Sequence, residues 1–411
     1  IDLMKFILII CDGAADWPIK SLGNKTIFEA TETPNLDWIA SHGKMGLLKS
    51  IPEGMKPGSE CANMTIMGYN PKTDLTGRGP LEALSANVPF NDTDLAFRCN
   101  LITIKDDIIK DYSAGHISTP DGQKLINILQ ENLGEKGIDF YPGVQYRHIL
   151  KLDGDKYSEK IATTPPHDVL DQSYKDYLPI PQHSNNKKAE KTSKKLIELI
   201  EKSNSLLIIH QINQNRKEKG KHIASNIWPW SGGKKPKIEP FKEKYNLEGS
   251  VISAVDLIFG LGIAAGLKPI HVQGATGLPD TNYSGKVNAA INELKEKDFV
   301  YLHIEAIDEM GHTGDPAKKI AALKDFDEKV MKPILQAESK FKNELVIGVL
   351  PDHLTPCKIR THSHEPVPFA IYNPKKKFFK KRVFSESNGA VGEYGLIENG
   401  EIFMKTFLNQ L

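Results

Sequence analysis

The chain has 411 residues and only four cysteines, at positions 11, 61, 99 and 357. None forms the closely spaced pair that a disulfide framework or a zinc ribbon requires, so reduced thiols and a cytoplasmic protein are expected. No apolar run approaches the ~18 residues of a membrane span. The apolar run at residues 6–10 is too short for a signal peptide and leads directly to Asp12, so none is expected. Charge of one sign is also missing. The net charge is +1 with 26% charged residues, which gives no general attraction to nucleic acid or to a membrane, and neither is expected as a partner. There is no Gly-x-x-x-x-Gly-Lys loop for a nucleotide.

What is present is an alternation of strands and helices at both ends of the chain. Residues 6–11 form a continuous apolar run, as in a strand buried on both faces. Thr33 and Pro34 read as the N-cap and first residue of a helix that stops at Gly43. A second strand is expected at 46–50. From Ser253 onward the alternation resumes: helices at 253–265, 286–297 and 316–335, and strands at 269–272, 299–304, 345–350 and 367–372. An amphipathic helix is expected at 401–411. The middle region differs in character. It reads as a half-exposed strand at 97–104, a helix at 123–133, strands at 144–152 and 206–209, and a lysine-rich amphipathic helix at 187–202. The basic run at 375–382 reads as an exposed turn. The expected architecture is α/β, a mostly parallel sheet covered by helices on both faces, with an inserted α+β domain. Its boundaries are residues 1–76 plus 250–411 for the discontinuous domain and 77–249 for the insertion.

Three apolar strands release acids and histidines at their C-terminal ends. The first releases Asp12, the second Asp308 and His312, the third Asp352 and His353; His362 follows in a loop. Ligands of open α/β sheets bind outside those strand ends. Three aspartates and three histidines suit two divalent ions, manganese or zinc before magnesium. Lys56-Pro57-Gly58-Ser59 precedes a short apolar stretch that ends at Gly68, which puts Ser59 at a helix start. A serine there caps the helix. It is equally placed to act as a nucleophile, because the helix N-terminus favours its alkoxide and an incoming phosphate. An adjacent metal strengthens the second role.

These pieces resemble the cofactor-independent phosphoglycerate mutases of the archaeal type, within the alkaline phosphatase superfamily. The resemblance covers nearly the whole chain. It rests on Lys56-Pro57-Gly58-Ser59, Thr76-Gly77-Arg78-Gly79-Pro80-Leu81-Glu82-Ala83, Asp111-Tyr112-Ser113-Ala114-Gly115-His116, Gly274-Ala275-Thr276-Gly277, Asp280-Thr281-Asn282-Tyr283, Asp308-Glu309-Met310-Gly311-His312, Pro351-Asp352-His353 and His362-Ser363-His364-Glu365-Pro366-Val367-Pro368. It implies an alkaline-phosphatase-like metal domain interrupted by a phosphotransferase domain. It implies that Ser59 takes up the phosphoryl group. One ion would be held by Asp308, His312 and His362, the other by Asp12, Ser59, Asp352 and His353. The ions would be divalent, manganese foremost, with magnesium, cobalt and zinc as alternatives. By the same resemblance His116 is the acid or base on a substrate hydroxyl. The small phosphorylated acid substrate needs cationic clamps; the candidates in the inserted region are Arg78, Arg98, Arg147 and Arg216, of which Arg147 and Arg216 are expected just after strands, and the resemblance favours Arg147 and Arg216 together with Lys286. The reaction implied is interconversion of 3- and 2-phosphoglycerate. A related phosphotransferase acting on an acceptor such as homoserine, or a metal-dependent phosphatase, would use the same site, and a non-enzymatic binding protein would not need all of it. Glu60, Leu354 and Ser231 depart from the family pattern without removing a metal ligand.

Overall fold

The computed structural model describes residues 4–342 and 344–410; residues 1–3, 343 and 411, which fall within the discontinuous domain and the last helix read from the sequence, lie outside the described residues. The chain forms two compact units. One comprises the residues up to Leu75 and from Lys237 onward, the other Thr76–Pro236. The second seam thus falls before position 250. The helix Phe241–Tyr245 packs with the first unit, where Phe241 stacks on Phe299 at 4.6 Å between ring centroids and the Tyr245 hydroxyl donates to the Gly68 carbonyl at 2.8 Å.

The first unit is built on eight strands: β1 (Lys5–Cys11), β2 (Lys44–Leu48), β3 (Gly249–Ile252), β4 (Lys268–Ile270), β5 (Phe299–Ile304), β6 (Leu345–Leu350), β7 (Val367–Tyr372) and β8 (Leu396–Ile397). They form one sheet in the order β4-β3-β5-β1-β6-β7-β2-β8. Every strand runs in one direction except β7, which lies antiparallel to β6 and β2. The register pairs Ile10 of β1 with His303 of β5 and with Leu350 of β6. The C-terminal ends of β1, β5 and β6 therefore lie side by side. Phe6 through Cys11 are buried, as the apolar run requires of a central parallel strand.

Two helix ends depart from the sequence reading. Thr33 precedes the helix Pro34–His42, but its hydroxyl makes no cap and is buried without a partner among the described residues. The cap comes from far along the chain: Asp327 accepts from the backbone N–H of Asn35 at 3.2 Å and of Leu36 at 2.7 Å. The helix expected at 316–335 is interrupted at Asp327–Met331 by a π-helical turn, which carries that carboxylate.

The second unit is α+β. Its long strand Leu95–Lys105 pairs antiparallel with Ile108–Asp111, Arg147–Leu152 and Asn226–Lys234, and Ile138–Val144 pairs with Arg147–Leu152. The helices Thr119–Leu133 and Lys187–Leu207 bury Leu125, Leu129, Leu196 and Leu199 in a core with Phe97 and Leu150. The long strand is buried on both faces through Thr103, not half-exposed. Residues 206–209 are not a strand. The lysine-rich helix runs on to Leu207, which is fully buried, and Ile209 beyond it is 72% exposed. The apolar cluster is the inner face of a helix end followed by a turn.

Candidate active site

The helix Ser59–Ile66 begins directly at Ser59, with Gly58 in the cap position. Ser59 is therefore the first helical residue and not the cap. The residue is half-buried, and its hydroxyl lies 3.1 Å from His353 Nε2. The same nitrogen lies 3.5 Å from Asp12 Oδ1 and 3.4 Å from Asp352 Oδ2. The tautomer follows from the neighbours. The Thr355 hydroxyl donates to Asp308 Oδ1, so its oxygen accepts from His353 Nδ1 at 3.2 Å. That leaves the Nε2 lone pair facing three oxygens. Burial holds the His353 pKa below its ordinary value and keeps the ring neutral. Asp12 Oδ1 is buried with no hydrogen-bond partner among the described residues. One imidazole lone pair, one orphaned carboxylate oxygen, a second carboxylate and a hydroxyl form a donor set for a divalent cation.

A second set adjoins it. His312 Nε2 is 3.0 Å from Asp308 Oδ2, and His362 Nε2 is 3.5 Å from Asp308 Oδ1. The two imidazole nitrogens are 3.3 Å apart. His312 Nδ1 donates to the Arg360 carbonyl at 2.9 Å, which directs Nε2 to the carboxylate. Burial opposes charge on Asp308, but His312 and His362 outweigh it and hold its carboxyl well below the usual range. Burial likewise opposes a proton on His312, yet Asp308 raises its pKa to about 9. A proton is favoured where a cation would be. The ligand atoms of Asp308, His353 and His362 lie within 4.8 Å of one another, as do those of Asp12, Asp352 and His353. His353 thus stands at the junction of both groups.

The backbone permits this crowding at Gly13, which has φ +63° just after Asp12. A β-carbon there would lie 2.4 Å from Asp308 Oδ1 and 2.6 Å from Thr355 Oγ1. Its N–H donates to Asp352 Oδ1 at 3.0 Å.

Beneath the ligands lies a row of polar residues that sequence patterning does not flag. His303, in the otherwise apolar β5, is fully buried. Its Nε2 is 3.0 Å from Asp12 Oδ2 and its Nδ1 is 3.1 Å from Ser253 Oγ. Burial brings its pKa down to about 4, so the ring is neutral and donates from Nε2. Two residues earlier on the same face, the Tyr301 hydroxyl donates to Asn63 Oδ1 at 2.5 Å. The Asn63 amide donates to the Ser59 carbonyl and to Asp352 Oδ2, both at 2.8 Å. Lys319 is also fully buried; its ammonium donates to Ala15 O, Asp16 Oδ2 and Thr355 O at 3.0, 2.9 and 2.8 Å. Its three donors tie the loop after β1 to the loop after β6.

Lys286 belongs to this unit, on the helix Tyr283–Glu296. Burial lowers its pKa to about 8, against the pull of Glu305. His116, Arg78, Arg147 and Arg216 belong to the second unit. Arg147 opens the strand Arg147–Leu152, exposed, with its guanidinium 5.4 Å from the Tyr146 ring centroid. Arg78 opens the helix Arg78–Ser85, lies 5.7 Å from the Trp230 ring centroid and pairs with Glu82 at 3.6 Å. Arg216 sits on the helix Gln211–Glu218, not after a strand. Its Nε and Nη2 are committed to backbone carbonyls of the unit, so it does not present an open fork.

The sequence model of the 2,3-bisphosphoglycerate-independent phosphoglycerate mutases matches residues 40–213. A Methanosarcina barkeri protein named 2,3-bisphosphoglycerate-independent phosphoglycerate mutase is 46% identical over 97% of this chain and 98% of its own. A Methanocaldococcus jannaschii protein named 2,3-bisphosphoglycerate-independent phosphoglycerate mutase 1 is 34% identical over 98% and 97%. Among solved structures, the cofactor-independent phosphoglycerate mutase of Thermoplasma acidophilum superposes with a TM-score of 0.66 at 27% identity, covering 99% of both chains. A Pyrococcus horikoshii protein superposes at 0.83, also 27% identical, over 100% of this chain and 97% of that one. Identity of 34–46% over nearly the whole of both chains places this one in the 2,3-bisphosphoglycerate-independent phosphoglycerate mutase family.

Proposed function

We propose that the chain interconverts 3-phosphoglycerate and 2-phosphoglycerate through a phosphoserine at Ser59. The observation that carries the reading is Ser59 Oγ at a helix start, 3.1 Å from a neutral His353 whose ring nitrogen also faces Asp12 and Asp352. Asp12, Ser59, Asp352 and His353 would hold one divalent ion, and Asp308, His312 and His362 the other. Mixed carboxylate and imidazole donors suit manganese. Such ions, when bound, lower the pKa of the serine hydroxyl and neutralise the phosphoryl oxygens.

Ser59 Oγ, as the alkoxide, attacks phosphorus in line, the bond from phosphorus to the substrate's O3 breaks, and O3 receives a proton. The glycerate then presents its other hydroxyl. O2 loses a proton, attacks the phosphoserine, and releases Oγ. His116 is the residue assigned to give and take these protons. The helix N-terminus at Ser59 stabilises the charge that gathers on the phosphoryl group. Arg78 and Arg147 supply guanidinium forks for carboxylate and phosphate, and Lys286, with a pKa of about 8, supplies a third cation. Four free, buried cysteines support a cytoplasmic setting.

The test is an enolase-coupled assay of the manganese-loaded protein with 3-phosphoglycerate. Turnover is expected, and Ser59→Ala abolishes it together with the acid-stable phosphoserine detected by mass spectrometry. Absence of mutase turnover alongside phosphorylation of homoserine, or alongside fast hydrolysis of aryl phosphates, would overturn the substrate assignment.

A further inference from the structure

The loop that carries His116 has an unusual backbone. Ala114, Gly115 and His116 are consecutive and all left-handed, with φ of +51°, +64° and +48°. Two of the three are not glycine, and side chains disfavour this region. Such a turn persists only where its surroundings over-determine it.

Here they do. Arg216 is 8% exposed. Its Nη2 donates to Ala114 O at 2.6 Å and Gly115 O at 3.1 Å, and its Nε donates to His222 O at 3.0 Å. Asp111 grips the turn from the other side. Its carboxylate accepts from Ser113 N at 2.7 Å, Ser113 Oγ at 2.6 Å and Gly115 N at 3.1 Å, and meets His222 Nδ1 at 2.8 Å. Ser113 Oγ in turn accepts the His116 N–H at 3.1 Å. A β-carbon on Gly115 would come within 3.0 Å of Arg216 Nη2 and 3.1 Å of His222 Cβ, so the clip closes tightly on the turn. By contrast the His116 imidazole is exposed and makes no hydrogen bond among the described residues. A buried guanidinium and a carboxylate thus enforce a disfavoured backbone under a side chain that does nothing for the fold.

We propose that Arg216 and Asp111 are positioning residues that hold this left-handed turn and so aim the His116 ring at the substrate hydroxyl. The inference rests on the reading of His116 as the proton donor and acceptor. It replaces the role of substrate clamp for Arg216 with an indirect one.

The experiment compares Arg216→Met, Arg216→Lys and His116→Ala, each manganese-loaded, in two reactions. One is the mutase reaction. The other is hydrolysis of an aryl phosphate, whose phenolate leaves without a donated proton. Arg216→Met is expected to lower mutase kcat by about 10- to 100-fold relative to aryl phosphate hydrolysis, with the phosphoglycerate KM within about threefold. Arg216→Lys, which can reach one carbonyl, recovers part of the loss. Amide exchange at residues 113–117 rises in Arg216→Met. Where that variant folds poorly, Ser113→Ala, which removes one hydroxyl, gives the same pattern at about three- to tenfold. Parallel losses in both reactions, or an Arg216→Met kcat within twofold of the parent beside a crippled His116→Ala, overturn the positioning role and leave His116 intact. A His116→Ala enzyme with parental turnover overturns the assignment of His116 itself.

Discussion

His148 provides a measurable link between pH and the stability of the second unit. It lies on the strand Arg147–Leu152, 1% exposed. Its Nδ1 accepts the Gly143 N–H at 2.9 Å, which fixes the neutral tautomer, and its Nε2 is buried without a partner. Burial pushes its pKa from 6.5 down to about 3, against the pull of the Gln145 carbonyl. The native state thus keeps this ring neutral, while the unfolded chain protonates it below pH 6.5. The unfolded state binds more protons in that window, so stability is complete above pH 6.5 and falls as the pH drops toward 3. The loss is negligible at pH 7.5 and about 2 kcal/mol at pH 5 from this one group. His148→Leu removes the titration. It also removes an acceptor for Gly143 and an orphaned donor, two effects that oppose each other. The assay is urea unfolding at pH 7.5 and 5.0, followed by the fluorescence of Trp228 and Trp230 in the same sheet. The parent is expected to lose about 2 kcal/mol more than the variant between the two pH values. Parallel losses would refute the argument, because they would show that the folded protein accepts a proton on His148 at no cost.

Two other outcomes follow from the site and the fold. His303→Phe removes the donor that orients Asp12, and manganese affinity measured by calorimetry should fall about 10- to 100-fold with the protein still folded; unchanged affinity would remove His303 from the metal centre. Asp327→Ala leaves the first turn of the helix Pro34–His42 uncapped and should cost about 1–2 kcal/mol in chemical denaturation, with no change in manganese affinity.

The convergence of the three aspartates was legible because each comes soon after a recognisable apolar strand, and a parallel sheet aligns such strand ends. Asp12, Asp308 and Asp352 needed no more than that. Ser59 was legible through Pro57 and Gly58, which break the chain just before a helix. The supporting row was not. Tyr301 and His303 alternate with Val300, Leu302 and Ile304 inside a strand, and their patterning is that of a buried core. Only the register that sets β5 beside β1 shows that His303 meets Asp12. Asp327 could not be read as a cap because its helix end lies 291 residues away. The misread strand at 206–209 has a local cause. Four apolar residues fit a strand or one face of a helix end equally well, and the packing of Leu207 decides. Placing Arg216 after that strand followed from the same error, and its carbonyl partners are a tertiary fact.

The position of β1 bears on how the nascent chain reaches its fold. β1 is complete at Cys11, yet both of its neighbours, β5 and β6, are encoded after residue 298. An apolar central strand must therefore wait, unpaired, through the synthesis of an entire second unit. At ribosomal rates of about 5–20 residues per second, that wait is roughly 15–70 s. Over this interval residues 6–11 lack both strands that flank them in the folded sheet. The candidate ligands are spread in the same way, since Asp12 and Ser59 emerge early and His362 among the last fifty residues. The candidate site is complete only when translation is nearly finished.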